Sequence, residues 1–249
     1  MSNFDESKVN RARDGKFDFK KAGKPQASLD DFLSTPALMN RFDTKQWEEE
    51  NWGRFNALEG DERLYVAQNG SRSVQMMFID RGSDEDRMNL IGHESDKYVS
   101  EQLARKATPQ VAMHLLNHGN PNVRTIAVSK LSDKSEALTS PDWAKRAGAA
   151  SEPRYQSILV NDEDVRVRAR VALLSNDREL RCSMANDDLQ VVENLCIHDD
   201  MHVFLSDHDD PRVRKIVAEN TEDYELLDVM CLDEDPDVAQ AAQKRLWGE

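Results

Sequence analysis

Two pairs of histidines stand four residues apart: His114 with His118, and His198 with His202. On an α-helix that spacing puts two imidazoles on one face, where they can hold a metal ion. Cys196, His208 and many carboxylates lie close in sequence to the second pair. Asp199–Asp200 stands between its two histidines, however, and is expected to break any helix there. The histidines therefore read as exposed or capping groups, and neither a metal nor any other cofactor is expected. The carboxylates come in clusters: Asp162–Glu163–Asp164, Asp187–Asp188, Asp199–Asp200, Asp207–Asp209–Asp210 and Asp233–Glu234–Asp235. General acid–base work needs one specific pair, in a cleft, with displaced pKa values. These acids recur at intervals instead. No Gly-rich phosphate loop, GxSxG turn or Cys/His nucleophile frame is present. The expectation is a protein without catalytic activity.

The interval is that of an internal repeat. In "DPRVRKIVAEN" a capping residue is followed by Pro, an anchor Val two further on, and an apolar residue four beyond that. The frame recurs with anchors at Val74, Val99, Val123, Trp143, Val167, Val191, Val213 and Val238, spaced 25, 24, 20, 24, 24, 22 and 25 residues apart. Three residues before them stand Ser71, Asp96, Asn120, Ser140, Asp164, Asp188, Asp210 and Asp235, all suited to accept a bond from an open helix N-terminus. Pro121, Pro141, Pro211 and Pro236 suit the first helical position, where a missing N–H is harmless. Four residues after the anchors stand Phe78, Leu103, Ala127, Ala147, Val171, Leu195, Val217 and Ala242, completing an apolar face. A second, shorter apolar segment follows in most units, as in "QVAMHLLNH" after Thr108–Pro109 and in "YELLDVMCL". About 24 residues leave room for two short helices, one of which can be a 3₁₀ turn. Neither buries its ridge alone, so the units must stack into an α-solenoid.

The stretch "DPRVRKIVAENTEDYELLDVMCLDEDPDV" resembles the leucine-rich repeat variant, a HEAT-like repeat of about 24 residues, and the resemblance extends over roughly residues 70–249. It implies an all-α, right-handed solenoid of about eight two-helix repeats, α/α or α/3₁₀. It says almost nothing of activity. A member of that family carries an iron–sulfur domain with clustered cysteines. Cys182, Cys196 and Cys231 form no such cluster, so the cofactor is not carried over. Arg124, Arg168 and Arg214 each follow an anchor Val directly. HEAT-like repeats use such arginines in structural ladders with aspartates of the next unit; a ladder that binds phosphate is the alternative. The unit from Asn120 to Ser140 is about four residues short, and its second segment, "KSEAL", is barely one turn. A local kink is expected there, with a shaped binding groove as the sharper alternative.

The organisation expected is a flexible basic arm over residues 1–30, a helical cap or degenerate repeat over 31–70, and repeats over 71–249. In the cap, Trp47, Trp52, Phe55 and Leu58 have helical spacing. Leu246 and Trp247 either close the far end or leave a sticky edge. In the arm, "KFDF" offers Phe17 and Phe19 as anchors of a docking peptide, and "RARDGKF" resembles leaders on small phage and plasmid proteins of bacteria. The chain opens on no apolar signal-peptide core, holds no apolar run of membrane length, and has no CxxC spacing, so a reduced, cytoplasmic location is expected.

Charge sets the class of partner. The formal net charge is −14. Residues 161–249 hold 23 acidic against 10 basic side chains, whereas residues 1–160 are nearly balanced at 24 against 23. The acidic third repels nucleic-acid phosphates. The expectation is a protein partner with a basic surface, such as a nuclease or a bacterial defence complex blocked by charge mimicry. No direct nucleic-acid binding and no membrane are expected, and the oligomeric state is left open. The carboxylates expected to bind are Asp162, Glu163, Asp187, Asp199, Asp200, Asp207, Asp209, Asp233 and Glu234, with Phe17 and Phe19 in the arm. A scaffold in a host complex is the alternative. A HEAT-like DNA glycosylase, with Asp142 and Trp143 at the base of its groove, has charge of the wrong sign.

Overall fold

In the computed structural model, which describes residues 44–248, sixteen α-helices and one 3₁₀ helix follow one another, with no strand among the described residues. The architecture is an all-α repeat solenoid. Two series of helices alternate. The A helices are Arg72–Arg81, Lys97–Lys106, Pro121–Lys130, Trp143–Ala149, Val165–Leu174, Leu189–Leu195, Pro211–Asn220 and Pro236–Trp247. The B elements are Asp84–Leu90, Pro109–Leu115, the 3₁₀ helix Ser135–Thr139, Pro153–Leu159, Arg178–Ser183, Asp199–Leu205 and Tyr224–Met230. No described helix is long and apolar enough to cross a membrane. The chain divides into two compact units, Met1–Val99 and Ser100–Glu249.

In the first unit, helices Thr44–Asn56 and Gly60–Asn69 precede the first A helix. Phe55 is fully buried against the Phe78 ring at 5.7 Å, and Trp52 meets the same ring edge-on at 6.2 Å. Arg63 lies over both Trp52 and Phe78 and pairs with Asp86 through two bonds of 2.6 and 2.8 Å. The arm and its Phe17 and Phe19 fall outside the described residues.

In the second unit one continuous core runs from Val128 to Ala242. The sequence frame accounts for it. Val123, Val167, Val191, Val213 and Val238 are buried, as are their partners Ala127, Val171, Leu195, Val217 and Ala242. Trp143 departs from the frame. It is only partly buried, and the helix it opens is capped by Asp142, which accepts the Ala144 N–H at 3.0 Å. Ser140 in turn accepts the Asp142 N–H, the same link that Asp162 makes to Asp164 and Asp233 to Asp235. The unit is therefore shifted by two residues from its expected frame. The Ser140–Pro141 pair imitates a cap and first turn, but an Asp two residues on is the stronger acceptor. The short "KSEAL" segment forms the 3₁₀ helix. At the far end, Leu246 packs on the core while Trp247 is exposed, and the last helix closes at Gly248 with φ 72°.

Candidate functional site

One position recurs through the second unit: in seven of its helices the fourth residue after the N-cap carries a long polar side chain. In the A helices of the second unit these are Arg124, Arg146, Arg168 and Arg214. Each donates Nη1 to the backbone carbonyl six residues earlier, those of His118, Ser140, Asp162 and His208, at 2.8 Å. The B helices repeat the link: Arg181 to the Ser175 carbonyl at 2.7 Å, Gln156 to Ala150 at 3.0 Å and His202 Nε2 to Cys196 at 2.7 Å. Ser175, Ala150 and Cys196 are the C-caps of the preceding helices, whose last carbonyls lack helical partners. Each such side chain thus stitches its own helix to the end of the one before.

The A-helix arginines face forward as well. Arg124 grips Asp142 at 2.6 and 3.2 Å, Arg146 grips Asp162 at 2.8 and 2.9 Å, and Arg168 grips Asp187 at 2.8 and 2.7 Å. Arg214 grips Asp233 with two bonds of 2.8 Å. Planar fork-to-fork pairing of this kind fixes orientation as well as charge. Arg168 and Arg214 hold the Asp187 and Asp233 carboxyls below the usual carboxylate range. The ladder is interrupted once. Buried Val192 takes the arginine position, and the next A helix is preceded by His208, as Pro121–Lys130 is by His118. His208 instead accepts the Asp210 N–H and donates to the Ala185 carbonyl at 3.1 Å. Arg146 escaped the sequence reading because the frame was set on Trp143. The even 22-residue spacing of Arg124, Arg146 and Arg168 carries the signal.

The carboxylates expected to bind a partner divide into two groups. Asp162, Asp187 and Asp233 are held in the ladder. Their neighbours lie on its solvent side: Glu163 and Glu234 are about nine-tenths exposed, and Asp188 is 64% exposed while accepting a bond from Arg168 at 2.8 Å. Each exposed acid flanks an arginine already matched to a carboxylate. Asp200 is partly exposed and pairs with Arg181. Asp199, Asp207 and Asp209 are exposed. Asp164, Asp210 and Asp235 cap helices. Arg212, folding over the Asp210 carboxylate, draws its pKa down to about 2. The triplets 162–164 and 233–235 therefore assign the same roles in the same order: rung, exposed acid, cap.

The other candidate groups have structural work. Asp199–Asp200 does not break a helix; it forms the first turn of Asp199–Leu205, where negative charge suits the helix dipole. His198 stands before that turn and donates Nε2 to the Ala172 carbonyl at 2.9 Å, and His118 accepts the Asn120 N–H. Among the described residues no group of three or more His, Cys, Asp or Glu is placed to hold a metal. Burial pushes the Cys196 thiol up to about 11. Asp142 is committed to Arg124 and its own helix, and Trp143 stacks beneath Arg166 at 3.9 Å. Beside the 3₁₀ helix lies an open cleft of about 620 Å³ lined by Met113, Leu116, Val128, Leu131, Lys134 and Lys145.

Among solved structures the chain is similar to a leucine-rich repeat variant with a novel repetitive structural motif, at 20% identity and a TM-score of 0.42, over 76% of this chain and 88% of that one. No family model and no curated protein matches the sequence.

Proposed function

We propose that the protein is a non-catalytic, cytoplasmic binding protein whose acidic surface engages a basic protein partner, as a phage or mobile-element inhibitor of a nucleic-acid-binding bacterial defence complex would. One observation supports this reading above the others. Glu163, Asp188 and Glu234 are exposed beside arginines that partly buried aspartates already neutralise, and Asp209 occupies the corresponding place in the interrupted unit. The result is about one solvent-exposed carboxylate per unit, held at most by an arginine that a second carboxylate already matches. A row of anions at regular intervals is what a groove built for phosphates accepts. The resemblance of "RARDGKF" to phage and plasmid leaders points the same way.

The triple charge reversal Glu163→Lys, Asp209→Lys and Glu234→Lys tests it. Tagged wild-type protein and the variant are compared for capture from a bacterial lysate across a salt series. The expected result is equal stability, loss of the captured complex in the variant, and steep weakening of wild-type capture with salt. Capture that survives both the reversal and high salt overturns the proposal. Such an outcome favours a scaffold in a host complex, a reading supported by the exposed apolar side chains Val203, Phe204, Tyr224, Val229 and Leu232.

A further inference from the structure

The arginine ladder has its gap at Val192, so no ladder arginine faces the loop that precedes helix Pro211–Asn220. In the other units the exposed acids Glu163, Asp188 and Glu234 each lie within 3.7 Å of a ladder arginine. Asp207 and Asp209 do not. Both are exposed, and among the described residues neither carboxylate enters an ion pair or a hydrogen bond. They line an open pocket of about 500 Å³ together with Val203, Phe204, His208 and Arg178. Val203 and Phe204 come from the end of helix Asp199–Leu205, whose Met201 and Leu205 are buried in the core. Turned the other way, Val203 is 64% exposed and Phe204 47%. The remaining polar groups of the pocket are already engaged. His208 uses both ring nitrogens, on the Asp210 N–H and the Ala185 carbonyl, and Arg178 lies 3.7 Å from Asp200. An aromatic ring, an aliphatic side chain and two carboxylates are left facing solvent in one pocket.

That combination selects its occupant. A ring alone suits any apolar group, and two carboxylates alone suit any cation. Together they favour a cation with a flat, weakly hydrated face and several donors, which is a guanidinium. An ammonium is a compact, strongly hydrated point charge and gains less from the ring. The excess of 23 acidic over 10 basic side chains in residues 161–249 draws such a group in. Resting on the reading of the protein as a binder of a basic partner, we propose that this pocket receives an arginine side chain of that partner. The guanidinium lies on Phe204 with its donors toward Asp207 and Asp209, and the aliphatic stem runs along Val203. The partner thereby supplies in trans an arginine that the chain's own ladder omits at this unit.

The test titrates the full chain into a fluorescein-labelled peptide of Gly-Arg repeats, and into a Gly-Lys peptide of the same length, read by anisotropy. The wild type is expected to bind the arginine peptide more tightly than the lysine peptide. Phe204→Leu, which keeps an apolar group but loses the ring, is expected to weaken the arginine peptide about tenfold and abolish the preference. Asp207→Asn with Asp209→Asn is expected to weaken it by about as much, the scale of one charge-assisted contact. Glu163→Gln with Glu234→Gln, outside the pocket, is expected to leave the arginine preference intact. All of these positions are exposed, and unchanged thermal midpoints verify that the variants fold. Failure of the arginine peptide to bind, equal affinity for the two peptides, or a preference that survives Phe204→Leu overturns the pocket. Lysate capture that is lost in the triple charge reversal but unchanged in Phe204→Leu overturns the pocket and leaves the acidic surface standing. Capture that survives both the reversal and high salt removes the acidic surface and the pocket with it.

Discussion

Arg214 and Asp233, nineteen residues apart, meet fork to fork through two bonds of 2.8 Å with side chains about nine-tenths buried. Arg214 also holds the His208 carbonyl, and Asp233 also accepts the Asp235 N–H. The pair therefore joins three things: the end of one loop, the helix that follows it, and the start of the next A helix.

Cutting one side of this rung should be expensive. Arg214→Met leaves an enclosed carboxylate without its cation, and the expected loss is about 3–5 kcal/mol in urea unfolding. Arg214→Met with Asp233→Asn removes the charge and keeps an acceptor for the Asp235 N–H. The double variant should be more stable than Arg214→Met alone, a non-additivity that a double-mutant cycle measures directly.

Acid should loosen the ladder before it affects the apolar core. Arg168 and Arg214 depress the folded-state values of Asp187 and Asp233. A depressed carboxylate contributes stability that is fully present above its unfolded value of about 3.9 and disappears as the pH falls through the folded value. Urea midpoints should thus hold steady as the pH is lowered to about 5 and decline below about 4. Asp187→Asn with Asp233→Asn should be less stable at neutral pH and show a shallower acid decline.

Gly148 allows helix Trp143–Ala149 to pack tightly on helix Pro121–Lys130. A Cβ there would meet the Thr125 carbonyl oxygen and Val128 Cβ, each at 2.6 Å. One of those atoms is backbone and cannot rotate aside. Gly148→Ala should cost about 1–3 kcal/mol despite the better helix propensity of alanine, as read by thermal or urea unfolding. A stabilised variant would mean that the two helices can separate freely.

The ridge residues were legible because burial follows helical period: Val167 with Val171 and Val213 with Val217 need no third element to be recognised. The caps Asp164, Asp210 and Asp235 were legible for the same local reason. Arg146 was hidden by Ser140–Pro141, which imitates a helix start two residues too early. The roles of Gln156, Arg181 and His202 were hidden for a different reason. Their partners are carbonyls, which every residue carries, so no side-chain type in the sequence marks the other end of the bond. The acid clusters were seen as clusters, but which member is enclosed and which is exposed depends on the arginine opposite. His208, which in sequence stands only as a neighbour of the second histidine pair, proves structural through Asp210 and Ala185.

The placement of each arginine one turn into its helix, and of each rung aspartate at or just ahead of the next A helix's start, makes the units interchangeable parts. Each presents an acid to whatever precedes it and a guanidinium to whatever follows. Remove a whole segment between equivalent positions, and the upstream arginine finds a downstream aspartate of the same kind waiting. Duplicate one, and the new junction is already matched. From Arg124 onward the array can lengthen or shorten by recombination without inventing a new contact, except at the junction that carries Val192 and His208.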